Sequence, residues 1–185
     1  MQRYIQIKLT EGDSETLQRK LIDEDIELAV LFPLSHMNHL RYHLLQQDEL
    51  VICCSRNHPF RRKNSLSMQD IAQEKLVILK QGCSYRQLLI NYFESVNTLP
   101  AIQFEVDQID TIKSLVANSN LLTILPSQLC EHHQDLVIIP FEEPIMIESS
   151  LVYKDKRALS HAAKALINAL VPDATKHLGG ENNEA

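Results

Sequence analysis

The stretch Leu76 to Phe93, LVILKQGCSYRQLLINYF, restricts the possible folds more than any other part of the chain. KLVILK is an apolar run too short for a helix and reads as a buried strand. It turns at once into a segment where Leu88, Leu89, Tyr92 and Phe93 repeat at helical spacing. A strand that feeds directly into an amphipathic helix is half of a parallel crossover unit. The pattern recurs in AIQFEV followed by QIDTIKSLVANS, in LLTILP followed by a brief helix around Ser127–His132, and in SSLVY followed by SHAAKALINAL. Strands alternating with helices specify an α/β protein with mostly parallel sheets.

The remaining segments fill in the order. RYIQIKL alternates in strand fashion through Tyr4, Ile5, Ile7 and Leu9. EGDS is a turn in which Asp13 or Ser14 caps a helix carrying Leu17, Leu21 and Ile22. IELAVLF is a buried strand ended by Pro33, and LRYHLLQQDELVICCS reads as two short strands running on through Gln46, Gln47 and Asp48. A basic turn after HPF leads to a short helix near Ser67–Ala72, and the acidic, proline-bearing FEEP reads as a turn between the strands LVIIP and SSLVY.

Composition narrows the function classes. A net charge of −6 and a pI near 5.7 argue against the chain itself gripping a nucleic-acid backbone, which needs a basic stripe. The one basic cluster, Arg56, Arg61, Arg62 and Lys63, is short, lacks interleaved aromatics and reads as a solvated loop or subunit contact. Nothing reaches the ~18 consecutive apolar residues of a membrane span, and MQRYIQIKLTEGD lacks the continuous apolar region of a signal peptide. A cytoplasmic protein without a membrane partner is expected. Cys53, Cys54, Cys83 and Cys130 show no CxxC spacing, so no disulfide framework is expected in a reducing compartment. Neighbouring residues of a strand point to opposite faces, so Cys53 and Cys54 read as small buried hydrophobes rather than a metal clasp. His36, His39 and His43 would share a face only in a helix, which Pro33 and the following strand oppose; Cys130, His132 and His133 lack a distant fourth ligand. No metal and no cofactor are expected, and no Ser–His–Asp order or phosphate loop points to an enzyme.

Four segments in sequence, LTEGDSETLQRKLIDEDIELAVL, LLQQDELVICCSRNHPF, LVILKQGCSYRQLLINYF and DQIDTIKSLVANSNLLTILP, resemble the effector-binding domain of LysR-type transcriptional regulators. The specific parts are the acidic-glycine turn before a helix, Asp48-Glu49-Leu50-Val51 with His58-Pro59, and Leu115-Val116-Ala117 leading to Leu125-Pro126. The resemblance implies two Rossmann-like α/β lobes similar to type 2 periplasmic binding proteins, joined by two crossing strands. Lobe one would hold residues 1–47 and 147–185, without its usual first strand and helix, and lobe two residues 48–146. A small effector would bind between the lobes and the signal would pass to an N-terminal winged helix-turn-helix, which on this alignment the chain lacks; DNA would be contacted only through that domain. A homodimer or higher homo-oligomer is implied, pairing through the helix Ser14–Asp23 and the strand near Leu121–Leu125. The sequence departs from the family at Asn118-Ser119-Asn120-Leu121, where glycines are usual.

The resemblance also places the ligand residues. In the family the turn after Lys80 faces the effector, and a helix start offers unpaired N–H groups to an anion. Gln81, Gly82, Cys83 and Ser84 are therefore expected to hold a carboxylate or similar group. Asp13 and Phe32 would approach from lobe one, unless Asp13 is only a helix cap. Asp107, Gln108 and Thr111 open a helix on the ligand side of lobe two and either read the effector's polar groups or cap. Two alternatives stay open: a solute-binding protein for a small molecule, and a redox sensor through Cys83.

Overall fold

The computed structural model describes residues 6–33, 36–80, 84–131, 133–155 and 158–171. The chain divides into two units. One contains residues up to Gln46 together with those from Glu148 onward, and the other runs from Gln47 to Ile147. Two long strands, β2 (Leu40–Ser55) and β6 (Leu136–Lys154), each contribute one end to each unit.

The first unit is a small sheet with a helix on either face. β1 (Ala29–Leu31) pairs antiparallel with β6, Ala29 opposite Val152 and Leu31 opposite Ser150. Successive side chains of a strand point to opposite faces. Val152 therefore packs with Leu17 and Leu21 of α1 (Ser14–Ile22). Leu151 and Tyr153 pack on the other side with Ala163 and Ile167 of α6 (His161–Leu170). Asp13 starts α1 by accepting a hydrogen bond from the Thr16 backbone N–H at 2.8 Å and another from the Thr16 hydroxyl at 2.8 Å. Ser160 starts α6, its Oγ accepting from the Ala163 N–H, while the Glu27 carboxylate accepts from the Ser160 N–H at 2.7 Å.

The second unit holds the larger core. β3 (Lys75–Leu79) pairs in parallel with β4 (Ala101–Val106), with a register shift between Leu76 and Val77. On its other edge β3 meets the chain at Leu122, where the Val77 N–H donates to the Leu122 carbonyl at 2.9 Å. That segment continues into β5 (Thr123–Pro126), which pairs antiparallel with Leu50–Cys53 of β2. Because β3 is paired on both edges, Leu76, Val77 and Ile78 are all fully buried, as expected of a central strand. Leu89 and Phe93 of α3 (Ser84–Ser95) and Ile112 and Val116 of α4 (Ile109–Ala117) seal this core. Shorter helices α2 (Met68–Ile71) and α5 (Ser127–Cys130) complete it. Ser67 and Asp70 form a reciprocal capping box on α2.

Several sequence expectations are corrected. RYIQIKL was expected as a strand; residues 6–9 form none, and Ile7 and Leu9 stand exposed, because alternation without a hydrogen-bonding neighbour makes no ladder. Tyr4 and Ile5 lie outside the described residues. IELAVLF keeps only Ala29–Leu31 as strand. The two strands expected in LRYHLLQQDELVICCS are one strand of 16 residues. The FEEP turn does not form either: burial of Phe141, Ile145 and Ile147 draws the segment into a continuous β6 of 19 residues. Here packing outweighs the turn preference of proline.

Unequal cores make unequal stability. β1 is short, pairs among the described residues with β6 alone, and leaves Val30 54% exposed, whereas β3 is buried and paired on both edges. Amides of 29–31 should therefore exchange faster than those of 76–78 in native-state hydrogen exchange; equal protection would contradict this. Hydrogen bonding by Thr16 holds the Asp13 carboxyl below its ordinary value, so Asp13 stabilises the fold above its unfolded value near pH ~4 and loses that contribution as pH falls through the lower native value. Asp13→Ala should cost about 1 kcal/mol at neutral pH, with the deficit shrinking in acid. Asp13→Asn, which keeps the acceptor, should cost less. Urea unfolding at pH 7 and pH 3 checks both.

Candidate functional site

Parallel pairing of β3 and β4 brings their carboxyl ends to one edge of the second unit, and the chain leaves both strands there to begin α3 and α4. In open α/β sheets this edge is where ligands are received. The Lys80 N–H donates to the Val106 carbonyl at 3.0 Å, extending the strand pairing by one residue. The Lys80 ammonium then meets the Asp107 carboxylate. Both side chains are about two-thirds exposed, 63% and 65%, so this pair contributes little stability and can rearrange around an incoming anion.

α3 is fastened to the same edge. Arg86, in its first turn, donates from Nη2 to the Glu105 carboxylate of β4 at 2.5 Å, and only 12% of the arginine side chain is exposed. Its Nε is buried without a hydrogen-bond partner. Gln108 occupies the cap position of α4 in extended conformation and makes no side-chain capping bond. This sets α4 apart. Side-chain oxygens of Asp13, Ser67 and Ser160 accept at the starts of α1, α2 and α6. At α5 the Asp48 carboxylate accepts from the Ser127 hydroxyl at 2.5 Å and from the Gln128 N–H at 3.4 Å. The start of α4 also carries Asp110, whose charge faces the Lys113 ammonium at 3.5 Å.

The residues expected from sequence fall into two groups. Asp107, Gln108 and Thr111 lie together and exposed at the carboxyl edge of the second unit. Ser84 is the first residue of α3, while Gln81, Gly82 and Cys83 lie outside the described residues. In the first unit Asp13 is engaged as the α1 cap, and neighbouring Ser14 donates to the Phe32 carbonyl at 3.3 Å, which joins the cap turn to the end of β1. Sequence reasoning missed Lys80, Arg86 and Asp48. Lys80 was legible as the residue leaving a buried strand, but the partners of Arg86 and Asp48 lie 19 and 79 residues away and carry no local pattern.

Other candidates resolve into structural parts. Arg56, Arg61, Arg62 and Lys63 are exposed around a 3-10 turn, Pro59–Arg62, which buried His58 caps through Nδ1. His43 bonds the Tyr153 hydroxyl at 2.9 Å, and His36 stacks on Tyr42. Among the described residues no group of three or more His, Cys, Asp or Glu side chains is placed to hold a metal ion, and no helix is long and apolar enough to cross a membrane.

Comparison with known proteins agrees with this architecture. Residues 2–174 match the family model of the LysR substrate binding domain. An uncharacterized HTH-type transcriptional regulator of Bacillus subtilis, YybE, is 29% identical over 122 residues, which cover 66% of this chain and 42% of the relative. This chain thus spans less than half of that protein. Two solved structures share the fold. The effector binding domain of QuiR in complex with shikimate superposes with a TM-score of 0.77 at 23% identity, over 90% of this chain and 80% of the other. The regulatory domain of CcmR from Synechocystis, in complex with 2-PG, gives 0.78 at 17% identity, over 87% and 79%. With the family model matched along nearly its whole length and the fold shared with these effector domains, the chain belongs to the LysR substrate-binding domain family.

Proposed function

We propose that this chain is the sensing part of a bacterial transcription regulator, a non-enzymatic domain that binds a small anionic metabolite and reports it to a DNA-binding domain of the same polypeptide. The observation that carries the anion is the carboxyl edge of β3 and β4. Among the described residues the Lys80 ammonium pairs with exposed Asp107, and Gln108 at the start of α4 makes no side-chain capping bond. A helix start in that state offers unpaired N–H groups and partial positive charge. The ligand group is received by the turn Gln81–Gly82–Cys83 with Ser84, while Gln108 and Thr111 read its polar substituents. Asp13 serves as a helix cap in this reading, and Phe32 borders the turn it caps. Shikimate and 2-PG, bound by the two structural neighbours, are the kind of small acid such a site suits.

Binding drives regulation only through the difference in affinity between two conformations of the protein. The complete regulator works as a homodimer or larger homo-oligomer in the cytoplasm, where its promoter is, and touches DNA through the helix-turn-helix rather than through this acidic chain.

Thermal shift followed by calorimetric titration against a panel of small organic acids, sugar phosphates and neutral polyols tests the reading. Acids should bind and stabilise; polyols should not. A charge-assisted hydrogen bond is worth about 1.5–3 kcal/mol, so Ser84→Asp, which sets a negative charge at the start of α3, should weaken binding roughly ten- to a hundredfold. Cys83→Ser should leave it nearly unchanged. Should Cys83→Ser abolish binding while Ser84→Asp leaves it intact, the anion reading is wrong.

A further inference from the structure

Two cysteines that lie far apart in sequence meet inside the second unit. Cys53 projects from β2, fully buried, and Cys130 closes α5, 1% exposed; their sulfurs stand 2.7 Å apart. The contact joins residues 77 positions apart. Cys54, the next residue of the strand, points to the opposite face and makes no such contact.

A metal does not account for the pair. Two thiolates on one tetrahedral zinc, each at ~2.3 Å, stand about 3.8 Å from each other, so 2.7 Å is too close for a bridging ion. Among the described residues no third or fourth ligand gathers there. What the geometry suits is a bond between the sulfurs. A disulfide needs ~2.05 Å, and the two sulfurs stand within 2.7 Å of each other.

The surroundings favour reaction at Cys130. The hydrogen bond with Cys53 holds the Cys130 thiol below its ordinary value, and the Lys113 ammonium acts in the same direction; burial and the Asp48 carboxylate oppose them. Cys53 is pushed the other way, by its bond to Cys130 and by burial. Lys113 is itself mostly sheltered, its side chain 17% exposed. Cys130 is taken as the attacking sulfur, with the Cys53 sulfur 2.7 Å away to resolve it.

We propose that Cys53 and Cys130 form an oxidative modification site, converted to an intramolecular disulfide by a small hydroperoxide. The Cys130 thiolate attacks the outer peroxide oxygen. The O–O bond breaks, the leaving oxygen takes a proton and departs as water or an alcohol, and a sulfenic acid remains on Cys130. Cys53 then attacks the Cys130 sulfur; the S–O bond breaks, water leaves with the proton of the Cys53 thiol, and the S–S bond forms. Two thiols are oxidised and one peroxide is reduced. The bond ties the end of α5 to β2, while Asp48 of that same strand already caps the start of α5. In a reducing compartment the bond is expected only under oxidant challenge. Burial of both sulfurs admits a peroxide far more readily than a bulky thiol reagent.

The full chain is treated with a tenfold excess of hydrogen peroxide, then alkylated in denaturant and mapped by mass spectrometry without reduction. The expected product is a dithiothreitol-sensitive link between the peptides carrying Cys53 and Cys130, with a mass loss of two hydrogens. Because Cys53 and Cys54 share a tryptic peptide, the same map of Cys54→Ala, which keeps the link, assigns it to Cys53. Closing so long a loop should raise the melting temperature by roughly 5–10 °C, and dithiothreitol should reverse the rise. Recovery of Cys53 and Cys130 fully alkylated after peroxide overturns the proposal, as does oxidation confined to Cys83 or a link that forms only once the chain is unfolded. The wild-type map alone gives this answer, so the proposal stays testable even where Cys130→Ser fails to fold.

Discussion

Backbone hydrogen bonding along β2 and β6 underlies the rest of the structure. Each strand leaves one unit and enters the other, so the first unit is built from two separate pieces of sequence and the second is inserted between them. The first unit needs the end of β6 to give β1 a partner, and the second needs the end of β2 to pair with β5. Unpaired backbone groups in a buried strand are expensive. Folding of either core therefore waits on residues more than 70 positions away, as in Leu50 with Pro126 or Val30 with Leu151. Non-local pairings of this kind make slow folders, because loop closure must precede the contacts that reward it.

The second constraint is parallel pairing. β3 and β4 run the same way, so the chain must return along a helix between them, and α3 is that return. The same requirement places the starts of α3 and α4 on one edge. Arg86, its side chain mostly sheltered, bonds the part-exposed Glu105 carboxylate and fixes α3 against β4, whereas both partners of the Lys80–Asp107 pair lie exposed. The two ion pairs differ in role because they differ in burial: sheltered pairs hold geometry, and exposed ones are worth ~0–1 kcal/mol and yield to competitors.

The local signals were legible and the non-local ones were not. KLVILK, AIQFEV and LLTILP announced their strands within a residue or two, and Asp13 announced its cap, because burial and capping are written in neighbouring residues. FEEP misled: its turn chemistry is real, but Phe141, Ile145 and Ile147 bury more apolar surface in a continuous strand than a turn would allow. Gln46, Gln47 and Asp48 read from sequence as a place where two short strands run on into each other; they lie within the single strand β2. At the candidate site, Asp107, Gln108 and Thr111 could be placed on a helix start from sequence. That α4 lacks a side-chain cap could not, since Gln is neither a strong cap nor a forbidden one. The Cys53–Cys130 contact was invisible: spacing arguments about cysteines find motifs, not partners brought together by an antiparallel pairing of β2 with β5 and the single turn that follows it.

Charge at the carboxyl edge decides what such a surface can attract. Asp107 and Asp110 alone would repel an anion, and both sit within the first turn of α4 or just before it. Each has a counter-charge, Lys80 for Asp107 and Lys113 for Asp110. With the side chains balanced, the remaining field is that of the helix start, about half a positive charge carried on N–H groups that the Gln108 side chain does not cap. That field falls off within one turn. It therefore selects ligands that place a compact anionic group directly against the backbone, and it offers little to a diffuse or distant charge. Lys80 adds reach, because its ammonium can leave Asp107 for a second acidic group on the ligand at small cost. On the proposed function, a surface organised this way would favour small acids, and diacids over monoacids.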